Sequence, residues 1–146
     1  MRIFLGMEDK LTLDILGLTE THKKSYKPDK LRFLDYKVNK RSFINFSKNV
    51  SVPQMKLADW LSVSLRTLQR YHYNKELSND VKEKLFSLAD LYSKGMKLMG
   101  KENFNKWLEK ENRGLGNMKP SDLLSYYSGI EEVKNILERI SHGVYS

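Results

Sequence analysis

The sequence predicts a nearly all-α fold, and three observations carry the prediction. Apolar residues recur at three- and four-residue steps through most of the chain. No stretch of useful length alternates apolar and polar residues as a half-buried strand would. Glycine, proline, serine and asparagine fall between the periodic stretches, where helices start and stop. The 146 residues suffice for one domain with a real core or for two small helical ones. Apolar content of 40% and charged content of 30% suit a soluble protein and are too rich in large apolar residues for disorder.

Residues 1 to 28 are the least readable. Met1–Gly6 starts in the manner of a signal peptide, but Met7, Glu8, Asp9 and Lys10 end the apolar run too early. Leu11, Leu13, Ile15, Leu16 and Leu18 have no clean period, and Gly17 interrupts them. Lys23-Lys24 and Lys27-Pro28 read as an exposed basic linker. From Asp29 the pattern is helical, with Leu31, Leu34 and Val38 on one face. A helix over Lys40 to Asn49 follows, burying Phe43, Ile44 and Phe46, and Ser51-Val52-Pro53 breaks it with Pro53 placed to start the next.

Gln54 to Tyr73 reads as a helix-turn-helix. Apolar residues that lock two helices together fall at Leu57, Leu61, Val63, Leu68 and Tyr71, and Ala58 sits where only a small side chain fits at the crossing. Ser62-Val63-Ser64 supplies the turn. Its first residue is often glycine, because the backbone there favours positive φ, yet this chain has Ser62. Ser64 is a good N-cap for the second helix, Leu65 to Tyr71. With Leu68 and Tyr71 buried, Ser64, Arg66, Thr67, Gln69 and Arg70 face outward. A recognition helix presents such side chains to a major groove, where Arg pairs with guanine and Gln with adenine. The bland alternative is a set of solvated helix residues. His72 has two readings, a phosphate contact or a cap on the last turn.

Charge favours the sharper reading. Residues 1 to 75 carry 15 Lys and Arg against 7 Asp and Glu, whereas residues 76 to 146 carry 11 against 11. The whole excess of +8 therefore lies in the half with the helix-turn-helix. Phosphate neutralisation supplies most non-specific affinity for nucleic acid and needs such a concentrated field. Lys56 and Lys75 are the expected phosphate contacts flanking the base-reading residues.

After Tyr73-Asn74-Lys75-Glu76, a turn, Ser78 caps a long helix carrying Val81, Leu85, Leu88, Ala89 and Tyr92, with Gly95 and Gly100 marking its end. A shorter helix carries Phe104, Trp107 and Leu108. Arg113 to Asn117 is the clearest loop. Pro120 opens a helix with Leu123, Leu124 and Tyr127, which Gly129 ends. The last helix has Glu131 and Glu132 in its first turn and buries Ile130, Val133, Ile136, Leu137 and Ile140. Gly143 stops it ahead of Val144-Tyr145-Ser146.

Catalysis finds little support. Cysteine is absent, which excludes disulfides, thiolate metal sites and cysteine nucleophiles and fits a reducing cytoplasm, the expected location. His22, His72 and His142 lack metal-ligand spacing. No glycine-rich phosphate loop follows a strand, and Glu131 and Glu132 point to different sides of a helix. No cofactor and no metal are expected, and no segment has the length of a membrane span.

Three stretches carry a family resemblance. The first is Ser64 to Tyr71 followed by Glu76-Leu77-Ser78. The second is Trp107-Leu108, then Leu115-Gly116-Asn117-Met118-Lys119-Pro120-Ser121-Asp122-Leu123-Leu124. The third is Gly129, Val133, then Leu137 through Ser146. In order and spacing they resemble the Xre/MbcA/ParS antitoxins, over roughly residues 40 to 146. The commoner family form has a second glycine where this chain has Asn117, which also tolerates a left-handed backbone.

The resemblance implies a partner toxin with a RES domain, which consumes NAD. It also implies a Cro-like DNA-binding part that represses the shared operon, and a C-terminal toxin-binding part that closes the toxin's active-site entrance. On that basis residues 1–39 form an N-terminal extension without assignment, 40–95 the DNA-binding domain and 96–146 the toxin-binding domain. Arg139, His142, Gly143, Val144, Tyr145 and Ser146 become the expected toxin contacts. A homodimer on an inverted repeat follows from the few base pairs one recognition helix can read. The alternative is a stand-alone repressor whose second half dimerises it or binds another ligand.

Overall fold

The structure is a computed structural model that describes residues 10–19 and 27–143. Helices dominate the described part, and its only β-type pairings are isolated bridges, Asn39 with Glu76 and Asn112 with Met118. The all-α expectation holds. The chain forms two compact units, residues 1–90 and 91–146.

The first unit opens with α1, Lys10–Leu16. Its Leu13, Ile15 and Leu16 are buried, so the stretch without a clean period is a core helix. Its last carbonyls, which have no partner within the helix, are bonded from the helix that follows. Asn49 Nδ2 donates to Asp14 O and Ile15 O at 3.2 and 3.0 Å, and Asn45 Nδ2 donates to Leu16 O at 3.4 Å. That helix is α2, Lys40–Val50. Asn39 begins it with a reciprocal cap: its side chain accepts from Ser42 N while Ser42 Oγ accepts from Asn39 N, both at 3.2 Å. Phe43, Phe46 and Val50 are buried, whereas Ile44 is half-buried.

Between α1 and α2 the expectation for Leu31 and Leu34 is corrected. Asp29–Asp35 is a 3-10 turn, and these leucines are 43% and 40% exposed. The three-residue pitch puts Phe33 and Tyr36 on the inner side, with ring centroids 6.4 and 5.6 Å from that of Phe86. Two aromatic rings remove more apolar surface from water than two leucines would, and Val38 joins them in the core.

Helix α3, Gln54–Leu61, begins after Pro53 and α4, Leu65–Arg70, begins after Ser64. Leu57, Ala58, Leu61 and Leu68 are buried as expected, and Trp60 joins them. Val63, in the turn, is half-buried instead, and so is Tyr71, because α4 stops at Arg70 and Tyr71 turns into extended backbone. Helix α5, Asn79–Met99, starts at the expected Ser78, whose Oγ accepts from Val81 N at 3.4 Å.

In the second unit, Gly95 does not end α5. It lies within the helix against the ring of Phe104, and Gly100, at φ 81°, is the actual break. Helix α6, Lys101–Leu108, buries Phe104 and Leu108, while Trp107 is half-buried and stacked on Phe104 at 5.9 Å. Gly116 and Asn117 are both left-handed, at φ 64° and 65°, so asparagine does stand in for glycine there. Pro120–Leu123 is a 3-10 turn and α7 runs Tyr127–Ser141. The helix expected to end at Gly129 is thereby corrected: Gly129 is inside α7, packed on the Leu123 carbonyl. The acidic first turn is corrected with it, since α7 starts before Glu131 and Glu132. Ile130, Val133, Ile136 and Leu137 are buried, and Ile140 is half-buried.

Candidate functional site

The surface built by α3 and α4 starts from backbone geometry. Ser62 takes φ 56° and ψ 38°, the left-handed conformation in which its N–H and that of Val63 close the end of α3 on Asp59 O and Ala58 O, each at 3.1 Å. The chain then re-enters a helix at Ser64, whose side chain accepts from Thr67 N at 3.4 Å. Helix α4 buries Leu68 alone. Ser64, Arg66, Thr67, Gln69 and Arg70 are all exposed, so the side chains expected to face outward do so together on one short helix.

Cations and aromatic rings flank that helix. Lys75 Nζ lies 5.6 Å from the Tyr71 ring centroid, and Lys56 Nζ lies 5.8 Å from that of Trp60. Lys75 is exposed and Lys56 half-buried. Two further cations were not legible in the sequence. Lys40 Nζ and the Arg41 guanidinium lie 5.3 and 5.8 Å from the centroid of Tyr73, itself 58% exposed. Lys40 also donates to Gln69 O and Tyr71 O, each at 3.0 Å. The last carbonyls of α4 are thus bonded by Lys40, and His72 is exposed beside them. No local pattern joins Lys40 to a helix some thirty positions away, which is why sequence reasoning passed over it.

Burial sharpens the charge asymmetry. Lys82, Lys84 and Lys134, all beyond residue 75, are buried with one acid, Asp90. Burial pushes the Lys82 and Lys84 ammonium groups below the usual lysine range, in Lys82 against the opposing pull of Glu76 and Asp35. The half beyond residue 75 is thus left with no exposed basic excess.

The second candidate surface closes α7. Arg139 and His142 are exposed, and His142 Nε2 lies 3.3 Å from Glu138 Oε2. His142 is the C-cap, and Gly143 takes φ 77°, so the chain leaves the helix where expected. Val144, Tyr145 and Ser146 lie outside the described residues, as does His22. Tyr126, Tyr127 and Met118 are exposed large side chains of the same unit. Among the described residues no cluster of His, Asp and Glu could hold a metal ion. None of their helices is long and apolar enough to cross a membrane.

Residues 94–143 match the family model for the antitoxin Xre/MbcA/ParS C-terminal toxin-binding domain. Over this stretch the chain is similar to the Xre/MbcA/ParS antitoxins. The match runs from the last turns of α5 through α6, the Arg113–Asn117 loop and α7 to Gly143. It therefore includes Arg139, His142 and Gly143 and supports an antitoxin role with a toxin as partner. Domains of this family bind and are generally not enzymes. No individual curated protein matches the chain.

Proposed function

We propose that the protein neutralises a RES-domain, NAD-consuming toxin through its C-terminal unit and represses its own operon through α3 and α4. The observation that carries this reading is the toxin-binding-domain match at 94–143, in a chain whose other half holds the whole basic excess. Arg66, Thr67, Gln69 and Arg70 would read bases, Ser64 would both cap α4 and meet the groove, and Lys56 and Lys75 would neutralise phosphates. The protein would act as a homodimer on an inverted repeat, because a single six-residue α4 reads too few base pairs for useful specificity.

At the other end, Gly143 would aim Val144-Tyr145-Ser146 at the entrance of the toxin's NAD site. Three residues that follow a helix stop cost little entropy to order, and one aromatic can fill a pocket otherwise held by water. Exposed Arg139 would hydrogen-bond acidic or carbonyl groups on the toxin rim.

Co-expression with the product of the adjacent gene tests the partner. Growth and NAD level should recover with the full chain, and the two proteins should co-purify. Deleting Gly143 to Ser146 should weaken protection with DNA binding intact. Full protection by that form would assign inhibition to the domain surface, and failure to co-purify would remove the antitoxin reading. On DNA, Arg66→Ala or Gln69→Ala should each cost about 1–3 kcal/mol and relax base preference. Survival of binding to the upstream region in the double variant would rule out α4 as the reading helix.

A further inference from the structure

Helix α4 has only six residues, one of them buried, and a helix that short has little stability of its own. Its direction must be held from both ends. Ser64 holds the first. At the second end, where backbone carbonyls lack partners and the dipole favours a cation, the Lys40 ammonium donates to Gln69 O and Tyr71 O at 3.0 Å each. Lys40 is the first residue of α2, and its surroundings are fixed independently. Lys40 N donates to Lys75 O and Arg41 N to Tyr73 O, both at 3.2 Å, and Leu77 N donates to Val38 O at 2.9 Å. The reciprocal Asn39–Ser42 cap sits at the same point. The chain leaving α4 is thus stitched to the start of α2, with the Lys40 ammonium joining this stitch to the helix end itself.

We propose that Lys40 is a specificity-determining positioning residue, which sets the axis of α4 by binding its last carbonyls and so places Arg66, Gln69 and Arg70 in register with bases. This rests on the reading of α4 as the base-reading helix. Two of its three donors are committed inside the protein, so the proposal gives its charge to the helix end before any phosphate. Exposed Arg41, on the Tyr73 ring, has the opposite character. The two residues therefore separate by the kind of binding each supports. Loss of positioning lowers discrimination between sequences, whereas loss of a phosphate contact weakens all sequences alike and flattens the salt dependence.

The test uses the full chain with Lys40→Met, Lys40→Arg and Arg41→Gln. Each is titrated over a range of salt against a duplex that the wild type enriches from a random pool, and against an unselected duplex of equal length. Lys40→Met should lose about five-fold or more of the preference for the enriched duplex, with a salt slope changed by well under the roughly 0.9 expected per lost phosphate contact. Lys40→Arg should recover most of the preference. Arg41→Gln should leave preference intact and lower the slope.

In the free protein, Lys40→Met should shift the carbonyl-carbon resonances of Gln69 and Tyr71 and speed amide exchange in α4. If Lys40→Met unfolds, Lys40→Gln, which keeps an NH2 donor group without the charge, should show a partial loss of preference. Equal weakening of both duplexes, or an unchanged preference, overturns the proposal. If the wild type enriches no sequence, the base-reading premise fails on its own account. The anchoring of α4 is then decided by the resonances and the exchange, and unchanged values overturn it too.

Discussion

Gly129 is where a single hydrogen atom decides how two segments pack. A Cβ at this position would lie 2.0 Å from Leu123 O, a backbone atom with no rotamer through which to withdraw. Gly129→Ala must therefore move either α7 or the Pro120–Leu123 turn, and overpacking of this kind costs about 1–3 kcal/mol. The expected outcome is a lower denaturant midpoint with an unchanged slope, and an unaltered midpoint would show that the contact yields easily. The same residue marks a limit of sequence reading. A glycine near the end of an apolar run has the local signature of a helix stop, and both Gly95 and Gly129 carry it. Their real constraint is a neighbour, the Phe104 ring in one case and the Leu123 carbonyl in the other. Where the constraint is local the sequence spoke clearly. Asn117 is a residue type that tolerates left-handed backbone, Ser62 occupies a position that favours it, and both adopt it. Lys40 stands at the opposite extreme, since its partners lie on a later helix.

Elements with a strong amphipathic stripe and a polar cap were legible almost to the residue. Helix α2 ends one residue beyond expectation, and α5 starts at its predicted cap. Reading failed where size of side chain outweighed period. In Asp29–Asp35, Leu31 and Leu34 offered a plausible helical face, yet Phe33 and Tyr36 won the inner side through their contacts with Phe86. Helix α1 shows no clean period in its apolar residues, and its last carbonyls are bonded by asparagines from α2. The turn between α3 and α4 offers a test at this scale. Left-handed backbone costs a residue with a side chain about 1–2 kcal/mol relative to glycine, whereas glycine brings about 0.5–1 kcal/mol of extra chain entropy to lose. At φ 56° the first effect should win. Ser62→Gly is expected to stabilise the protein by up to about 1 kcal/mol, a rise of a few degrees in melting temperature, with groove-facing side chains unaltered. A fall in melting temperature would mean that the Ser62 hydroxyl makes an interaction worth more than the strain. The complementary change, Ser64→Ala, should cost about 1 kcal/mol by uncapping α4.

For the whole molecule, the division of chemistry along the chain makes the two proposed activities separable in principle. Net charge resides in residues 1 to 75, the toxin-binding match lies in 94–143, and the two compact units meet in sequence between Asp90 and Leu91. That point falls inside α5, so a cut there would leave each unit with half a helix, exposed backbone ends and no cap. Fragments must instead overlap. One ending at Gly100 and one starting at Ser78 would both carry α5 entire, the second with its own cap and Gly100 still in place to turn the chain into α6. The first should keep weak, salt-sensitive affinity for unselected DNA, because phosphate neutralisation needs only the basic half. The second should keep the toxin in a pull-down while showing no affinity for DNA, because its positive and negative charges nearly balance. Circular dichroism and size-exclusion chromatography would show whether each fragment folds before either binding assay is read. Retention of toxin by the first fragment would contradict the assignment of that partner to the C-terminal unit. Precipitation of both would make α5 the spine of one cooperative structure, in which DNA and toxin binding rise and fall with a single folding equilibrium.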